Sequence, residues 1–216
     1  MRIGRKAVRN VMLSLFLLFW APLSLGAQPE QQPEQETVQE AGQGEAGEGY
    51  SPVHVQEQVQ ERPKTIHEMI QEAEQRASAH YRVPLELLMG IRKVESRGYP
   101  WALCINLGKG RSVSLYPRSY QEALYYLARL ATDNIDIGPW QVNYHHIGKR
   151  AGVSKEQMLN PYISSMLAAY KLAYEIALNG YTWSAVGNYH SRALERKAPY
   201  IDRLKQQLRK EGYHVN

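Results

Sequence analysis

The sequence PLELLMGIRKVESRG, residues 84–98, has the pattern of one complete amphipathic helix. Proline is favoured in the first turn of a helix, and Pro84 stands at the start of the pattern. The apolar residues that share one helical face are Leu87, Leu88, Ile91 and Val94. Glycine favours the end of a helix, so Arg97-Gly98 predicts where this one stops. The spacing therefore predicts a helix whose last turn carries Glu95.

Glu95 lies at the end of that apolar stripe and is followed at once by Ser96. A carboxyl group held against aliphatic side chains loses hydration, which favours its neutral, protonated form. Such a group is a candidate general acid near neutral pH. The simpler alternative is a glutamate that leaves its helix for solvent, as most glutamates do. The rest of the sequence has to separate these two interpretations.

The first 27 residues have the three parts of a secretory signal peptide. Four basic residues come first, residues 11–25 are mainly apolar, and Gly26 and Ala27 are the small residues of a cleavage site. The apolar run is shorter than the roughly 20 residues that span a bilayer, so a permanent membrane anchor is the weaker alternative. We predict a signal peptide over 1–27, cleaved after Gly26 or Ala27, and export to the periplasm without a stable membrane span.

Residues 28–64 and 65–216 differ in composition. The first segment is dominated by Gln, Glu, Gly and Pro, which cannot bury enough apolar surface to fold, so we predict a disordered tether. The second has 20 basic and 13 acidic residues and is long enough for one domain with its own core. Its positive charge predicts an anionic partner, which could be nucleic acid, a membrane surface or an acidic polysaccharide. Export favours an envelope polymer over nucleic acid.

Periodicity predicts a mainly α fold with a small β-hairpin, in the α+β class. Thr65 and Glu68 have the spacing of a capping box, which predicts a first helix that ends near Tyr81. Two short apolar runs that flank Gly108-Lys109-Gly110 predict the hairpin. Helical spacing predicts further helices at 119–131, 161–180, 182–190 and 199–211. Cys104 is the single cysteine, which excludes an internal disulfide.

Three short segments carry the chemistry. They are Val94-Glu95-Ser96, NIDIGPWQVN at residues 134–143, and AVGNYHS at residues 185–191. In this order and spacing they resemble the signatures of the SLT-type lytic transglycosylases of the goose-type lysozyme superfamily. The resemblance is greatest to the small members associated with conjugation, type IV secretion and pili, and it covers about residues 66–195.

The resemblance implies a lysozyme-like fold with a substrate cleft, and cleavage of the β-1,4 bond between MurNAc and GlcNAc in peptidoglycan. It implies that Glu95 first protonates the glycosidic oxygen and then, as a base, takes the proton of the muramic acid C6 hydroxyl. That hydroxyl attacks C1 and leaves a 1,6-anhydroMurNAc end. The implied partners are peptidoglycan glycan strands and components of a secretion, conjugation or pilus apparatus. We expect a monomer that needs neither a cofactor nor a metal.

We predict substrate contacts for Ser96, Gln141, Asn143 and Tyr189, which match the family pattern, and for Trp140 and His190, which depart from it. Gln141 and Asn143 alternate on a segment that we expect to be extended, so both side chains can face the sugar while Val142 faces the core. Ser96 is expected to line the cleft beside the acid.

Tyr189, Trp140 and His190 are each predicted to contact the substrate in a different way. By resemblance, the Tyr189 hydroxyl reaches the Glu95 carboxylate and the substrate acetamide. Trp140 stands where many relatives have Met, and we expect its indole face to stack on a sugar. His190 stands where relatives more often have Asn, which puts the preference among glycan subsites in question.

Two alternatives to a transglycosylase stay open at this point. If Asp136 lay about 5 to 9 Å from Glu95, a conventional two-carboxylate hydrolysis would be available, and the protein would be a muramidase. Its place just before Gly138 predicts instead a turn residue whose carboxylate bonds to nearby backbone amides. The other alternative is a catalytically silent wall-binding assembly factor. His145-His146 predicts no metal site, because adjacent side chains diverge and no further ligand pattern accompanies them.

Overall fold

The structure of the protein is a computed structural model that describes residues 62–215. These residues fall within one unit, Gln58–Asn216. The predicted signal peptide, and the predicted tether as far as residue 61, lie outside the described residues. The boundaries at 27 and 64 therefore stay predictions.

The described residues are mainly helical, which confirms the predicted fold class. The α-helices are α1 (Ile66–Tyr81), α2 (Leu85–Ser96), α3 (Tyr120–Arg129), α4 (Pro161–Asn179), α5 (Trp183–Gly187) and α6 (Leu194–Lys210). The capping box at the start of α1 is present, because the Thr65 hydroxyl accepts from the Glu68 amide and the Glu68 carboxylate accepts from the Thr65 amide. Helix α2 ends as predicted, with Arg97 in a left-handed conformation at φ 58°.

Helix α6 begins five residues before its predicted start at 199. The spacing of Ile201, Leu204 and Leu208 placed the predicted boundary near 199. In the structure the helix begins at Leu194, with the amide of Lys197 bonded to the carbonyl of Ala193 at 2.9 Å. The buried residues of α6 begin at Tyr200, and residues 194–199 are exposed or half-buried, so an apolar stripe could not reveal the first turn.

A four-stranded antiparallel sheet lies where the sequence predicted only a hairpin. Strands β1 (Leu103–Gly108) and β2 (Arg111–Leu115) form the predicted hairpin, and β3 (Ile135–Ile137) and β4 (Val142–Asn143) extend it in the order β2-β1-β3-β4. Strands of three and two residues are too short to show an alternating pattern, so periodicity could not find them. The sheet places Asp136 opposite both Cys104 and Asn143.

A close contact between α2 and α6 positions the C-terminal end of α2. A Cβ atom at Gly90 would lie 2.8 Å from Leu204 Cδ1 and 3.0 Å from Leu208 Cδ2, so a larger residue would require these two leucine side chains to shift. The contact brings the last turn of α2, with Glu95, to the side of α6 that carries Tyr200. Within residues 62–215, no helix combines the length and the apolar character needed to cross a bilayer.

Candidate active site

Glu95 lies in the last turn of α2, and its side chain is 13% exposed. One turn earlier, Arg92 makes a two-point contact with Glu74 of α1, with Nε to Oε1 at 2.6 Å and Nη2 to Oε2 at 3.1 Å. Burial raises the pKa of Glu74, and the Arg92 guanidinium opposes that rise. This buried pair joins α2 to α1 and so fixes the direction of the turn that carries Glu95.

Two rings from different parts of the chain lie beside Glu95. His190 Nδ1 is 3.4 Å from Glu95 Oε1, and the His190 ring stacks on the ring of Tyr200 with centroids 4.7 Å apart and an angle of 8°. Tyr200 is fully buried, and its hydroxyl has no partner of normal hydrogen-bond geometry among the described residues. Burial raises the pKa of Tyr200 well above its usual value, and the charges of Glu95 and Tyr189 and a weak hydrogen bond to Glu95 add to the rise. The hydroxyl is therefore a neutral dipole within electrostatic reach of the carboxylate.

Sequence reasoning found His190 but missed Tyr200. The signal for Tyr200 was its place on the same helical stripe as Leu204 and Leu208, four and eight positions later. That signal describes a core residue equally well. Only the contact between α2 and α6 distinguishes a residue beside Glu95 from an ordinary core residue.

Tyr189 and Trp140 contact each other in the core near Glu95, and both predictions for their contacts need correction. The Tyr189 hydroxyl donates to the carbonyl of Trp140 at 2.9 Å, so the expected hydrogen bond to Glu95 is wrong. Trp140 is 0% exposed, so the expected stacking of its indole on a sugar is wrong as well. Burial of an indole is strongly favourable, which makes a core position the better use of this side chain.

Tyr189 is nevertheless close enough to the site for charges there to change its pKa. Burial, and then the charges of Glu95 and Asp136, raise the pKa of Tyr189 well above its usual value. Its hydroxyl thus stays protonated and holds the loop around Trp140 in place. The side chain is 1% exposed, so it supports the site from within the core.

Ser96 ties the end of α2 to the loop that contains Trp140. Its hydroxyl donates to the carbonyl of Pro139 at 2.7 Å and accepts from the amide of Gly98 at 3.1 Å. The residue is 2% exposed. This geometry makes Ser96 a positioning residue, and its predicted contact with substrate stays a prediction.

Gln141 closes a turn, which corrects the expected extended backbone at this position. Its φ is 48°, and its amide bonds to the carbonyl of Gly138 at 3.1 Å. The side-chain nitrogen donates to Ala102 O at 3.1 Å and to Gly138 O at 2.8 Å. Both hydrogens of that nitrogen are used, so the amide oxygen is the group that Gln141 can offer to a ligand. Val142 is fully buried, which confirms its predicted direction.

Asp136 lies in the middle of β3, which corrects the prediction that it forms a turn and bonds backbone amides. Its two oxygens accept instead from side-chain amides, Asn106 Nδ2 at 2.9 Å and Asn143 Nδ2 at 2.8 Å. Burial raises the pKa of Asp136, those two hydrogen bonds and Lys171 oppose the rise, and the charge of Glu95 adds to it. The Asp136 carboxylate is therefore close enough to Glu95 for the charge of Glu95 to affect the Asp136 pKa.

Asn143 is committed to the same network. Its amide nitrogen also donates to Asn134 Oδ1 at 3.1 Å, and its amide oxygen accepts from the amide of His146 at 3.0 Å. Both ends of the side chain are therefore engaged, in a residue that is 9% exposed. In this arrangement Asn143 holds Asp136, and its predicted contact with sugar stays a prediction.

Lys171 of α4 is a second residue that sequence reasoning missed. Its Nζ lies 4.3 Å from the centroid of the Tyr189 ring. Burial lowers the pKa of Lys171, and the charges of Glu95, Asp136 and Glu175 oppose that change. One signal in the sequence pointed to it, because Lys171 follows the buried Leu167 by one helical turn and so places a charge on an apolar stripe.

Comparison with known proteins identifies the family to which the chain belongs. A family model described as the Transglycosylase SLT domain matches residues 72–203, which is more than half of the chain. The chain belongs to this family. The matched residues include every side chain placed around Glu95 above, from Glu74 of α1 to Tyr200 of α6. Neither the curated proteins nor the solved structures contain a match.

SLT domains are lytic transglycosylases that act on peptidoglycan, so peptidoglycan is the substrate class of this chain. The site of this SLT domain contains one carboxylate with a partly exposed side chain next to a histidine, and a second carboxylate held by two asparagine amides. A carboxyl group in such surroundings can donate a proton to a leaving oxygen and take one back. Within residues 62–215, no group of three or more His, Cys, Asp or Glu side chains is arranged to hold a metal ion.

Proposed function

We propose that this SLT domain cleaves the MurNAc-β-1,4-GlcNAc bond and leaves a 1,6-anhydroMurNAc end, with Glu95 as the catalytic residue. The observation that carries the proposal is the contrast between two neighbouring carboxylates. The Glu95 side chain is partly exposed and lies next to the His190 ring. Both oxygens of Asp136, in contrast, accept hydrogen bonds from asparagine amides. One carboxylate is therefore placed to exchange protons with substrate, and the other is engaged within the protein.

The first step breaks the glycosidic bond. The Glu95 carboxyl proton moves to the glycosidic oxygen, and the C1–O bond breaks with its electron pair on the departing GlcNAc. The substrate's own N-acetyl oxygen stabilises the positive charge at C1. Routes in which the substrate assists in this way are the recognised exception to the use of two catalytic carboxylates.

The second step forms the anhydro ring. Glu95, now a carboxylate, takes the proton of the C6 hydroxyl while O6 bonds to C1. This restores the protonated acid, so no water enters the product. Gln141 is proposed to orient the sugar through its amide oxygen, and His190 through its exposed edge, since its side chain is 35% exposed.

Hydrolysis is the second candidate, and one observation favours it. Asp136 lies within reach of the charge of Glu95, which is the relation that a two-carboxylate muramidase requires. Each Asp136 oxygen accepts one hydrogen bond from an asparagine amide and retains a second lone pair. We favour transglycosylation because the chain belongs to the SLT family and these two hydrogen bonds hold Asp136 within the protein.

Digestion of purified sacculi, with mass spectrometry of the muropeptides, tests the reaction. We expect 1,6-anhydro ends, which are lighter by one water than reducing ends. Reducing ends would overturn the transglycosylase proposal and favour the muramidase. If the protein is a muramidase, Asp136→Asn should abolish lysis. If it is a transglycosylase, the Asp136→Asn protein should still form the anhydro product.

Glu95→Gln tests the catalytic residue, with Glu86→Gln as the matched control. Both substitutions remove one charge from α2, but Glu86 lies in its first turn. Loss of a general acid and base lowers a rate by about 10²- to 10⁴-fold, so we expect that loss for Glu95→Gln and wild-type lysis for Glu86→Gln. Wild-type lysis by the Glu95→Gln protein would refute the assignment.

We also propose that the protein is exported to the periplasm and opens the wall locally for a secretion, conjugation or pilus apparatus. The support is the pattern of residues 1–27, the Gln/Glu/Gly/Pro-rich segment 28–64, and the resemblance of the catalytic segments to the small members of such systems. If Glu95→Gln leaves apparatus function intact in cells while deletion of 28–63 abolishes it, the chain is a wall-binding assembly factor and the catalytic account of its role fails.

A further inference from the structure

Four aromatic side chains form a surface next to the active site that the proposed chemistry does not use. We call Tyr99, Trp101, Tyr116 and Tyr120 the aromatic platform. They make two edge-to-face pairs, Tyr99 with Tyr116 at 5.4 Å and 85°, and Trp101 with Tyr120 at 5.5 Å and 63°. Tyr116 is 54% exposed and Tyr120 is 39% exposed, and Trp101 also packs against the core. The platform is thus anchored on one side and open to solvent on the other.

Backbone contacts connect the platform to both sides of Glu95. The amide of Tyr99 bonds to the carbonyl of Ser96 at 3.1 Å, directly after the turn that carries Glu95. The carbonyl of Ala102, next to Trp101, accepts from Gln141 Nε2 at 3.1 Å. The segment that carries the first two aromatic residues therefore continues the wall of the active site.

The chemistry of the surface fits a glycan strand. In an edge-to-face pair, the ring that contributes its edge keeps its own faces uncovered by its partner. An open aromatic face accepts the apolar C–H face of a pyranose ring, and each tyrosine hydroxyl adds a hydrogen-bonding group at the rim. Exposed aromatic clusters of this kind mark binding surfaces rather than core.

The basic residues of the same segment are a second, independent reason to expect a peptidoglycan strand on the platform. Residues 97–121 contain four basic residues and no acidic one: Arg97, Lys109, Arg111 and Arg118. All four are exposed, and Arg118 lies between Tyr116 and Tyr120 in the chain. The stem peptides of peptidoglycan carry carboxylates, so a strand on the platform would place anionic stems near cationic side chains.

We infer that the aromatic platform is a subsite for the peptidoglycan strand beyond the cleaved bond, with sugars on the aromatic rings and stem carboxylates on the basic residues. This inference takes its substrate from the proposed function. Sugar stacking, which we predicted for Trp140 before its burial was known, is thereby assigned to exposed rings on the neighbouring segment.

Binding in an inactive background tests the platform without any turnover. The full chain with Glu95→Gln is compared with the same protein that also carries Tyr116→Ala and Tyr120→Ala, by cosedimentation with intact sacculi. We expect the added substitutions to weaken binding about tenfold, as loss of two exposed aromatic contacts should. Tyr125→Ala is the matched control, because Tyr125 is 53% exposed on the same helix but lies about 140° around it from Tyr120. It should bind like the parent.

Stem-free strands, prepared with an amidase, separate sugar contacts from charge contacts. Arg111→Gln with Arg118→Gln should weaken binding to stem-bearing strands severalfold and leave binding to stem-free strands unchanged. The aromatic substitutions should weaken both. Circular dichroism checks that each variant is folded, and Tyr116→Ala alone serves if the double variant is not.

Three results would overturn the inference. One is sacculus binding by the Tyr116→Ala/Tyr120→Ala protein at the parent level, and another is an equal loss for Tyr125→Ala. The third is loss of binding to anionic phosphatidylglycerol vesicles with sacculus binding retained, which would assign the platform to a membrane surface. Because all of these measurements use Glu95→Gln protein, they stand whether the muropeptides of the active enzyme carry anhydro or reducing ends.

Discussion

The two buried tyrosines near Glu95 should respond in opposite ways to the same substitution. Tyr189→Phe removes a hydroxyl that donates to the Trp140 carbonyl at 2.9 Å, whereas Tyr200→Phe removes one with no partner of normal hydrogen-bond geometry among the described residues. Both residues are at most 1% exposed, so the apolar surface that they bury is nearly unchanged by the substitution. The difference in stability between the two variants therefore measures the hydrogen bond.

The expected magnitudes follow from the cost of an unpaired buried group. Leaving the Trp140 carbonyl without its donor costs about 1–3 kcal/mol, so Tyr189→Phe should lower the free energy of unfolding by that amount. For a domain of this size each kcal/mol corresponds to roughly 2–4 °C in Tm, which gives a decrease of about 2–12 °C. The Tyr200 hydroxyl has only a weak contact with Glu95, outside normal hydrogen-bond geometry, so Tyr200→Phe should change stability by less than about 0.5 kcal/mol or increase it by up to ~1 kcal/mol.

Urea denaturation and differential scanning calorimetry of the full chain at pH 7 measure both variants against wild type. The reasoning would be refuted if Tyr200→Phe were destabilised as much as Tyr189→Phe, because that result would require a hydrogen bond at Tyr200. An increase in Tm for Tyr189→Phe would equally contradict the bond to Trp140.

Three further predictions concern the surroundings of the site. Arg92→Met leaves the buried Glu74 carboxylate without its partner and should lower the free energy of unfolding by about 3–5 kcal/mol, while the double variant Arg92→Met/Glu74→Leu should recover most of that loss in urea denaturation. Gly90→Ala forces a Cβ atom against the buried side chains of α6 and should cost about 1–3 kcal/mol by the same measurement, despite the higher helix propensity of alanine. Lys171→Met removes a charge that opposes the raised pKa of Asp136, so this pKa should rise further in a ¹³C NMR titration of the carboxyl carbons. Because the Asp136 pKa is higher in the folded than in the unfolded protein, the stability that it contributes is present at low pH and is lost as pH rises through the folded value, and in Lys171→Met that loss should extend to higher pH. An unchanged carboxyl titration would show that Lys171 does not act on Asp136.

Most of the helices were predictable because their signals are local. The capping box of Thr65 and Glu68 and the apolar stripe of residues 84–96 each lie within one element, and the structure has the helices where these signals place them. Where a helix begins on exposed residues, the apolar pattern missed the boundary. The buried stripe of α6 starts at Tyr200, whereas the helix begins at Leu194 with a turn of exposed and half-buried residues.

The site was predictable in position but only partly in detail. The three segments that predicted it do lie together, since Ser96 bonds to Pro139 and Tyr189 bonds to Trp140. What each side chain does was harder to predict. An indole or a phenol on a functional segment can face substrate or core, and both choices have the same sequence pattern.

The sequence by itself determined the class of the fold and the family to which the chain belongs, and it predicted that Glu95, the proposed acid, lies at the end of α2. Those properties depend on spacing within segments and on the order of segments. Only the tertiary structure decided which groups surround Glu95. Ser96 and Pro139 are 43 residues apart, Asn106 and Asp136 are 30 apart, and Tyr189 and Trp140 are 49 apart. Hydrogen bonding and burial depend on distances of a few ångströms between such residues, and periodicity along the chain carries no information about those distances.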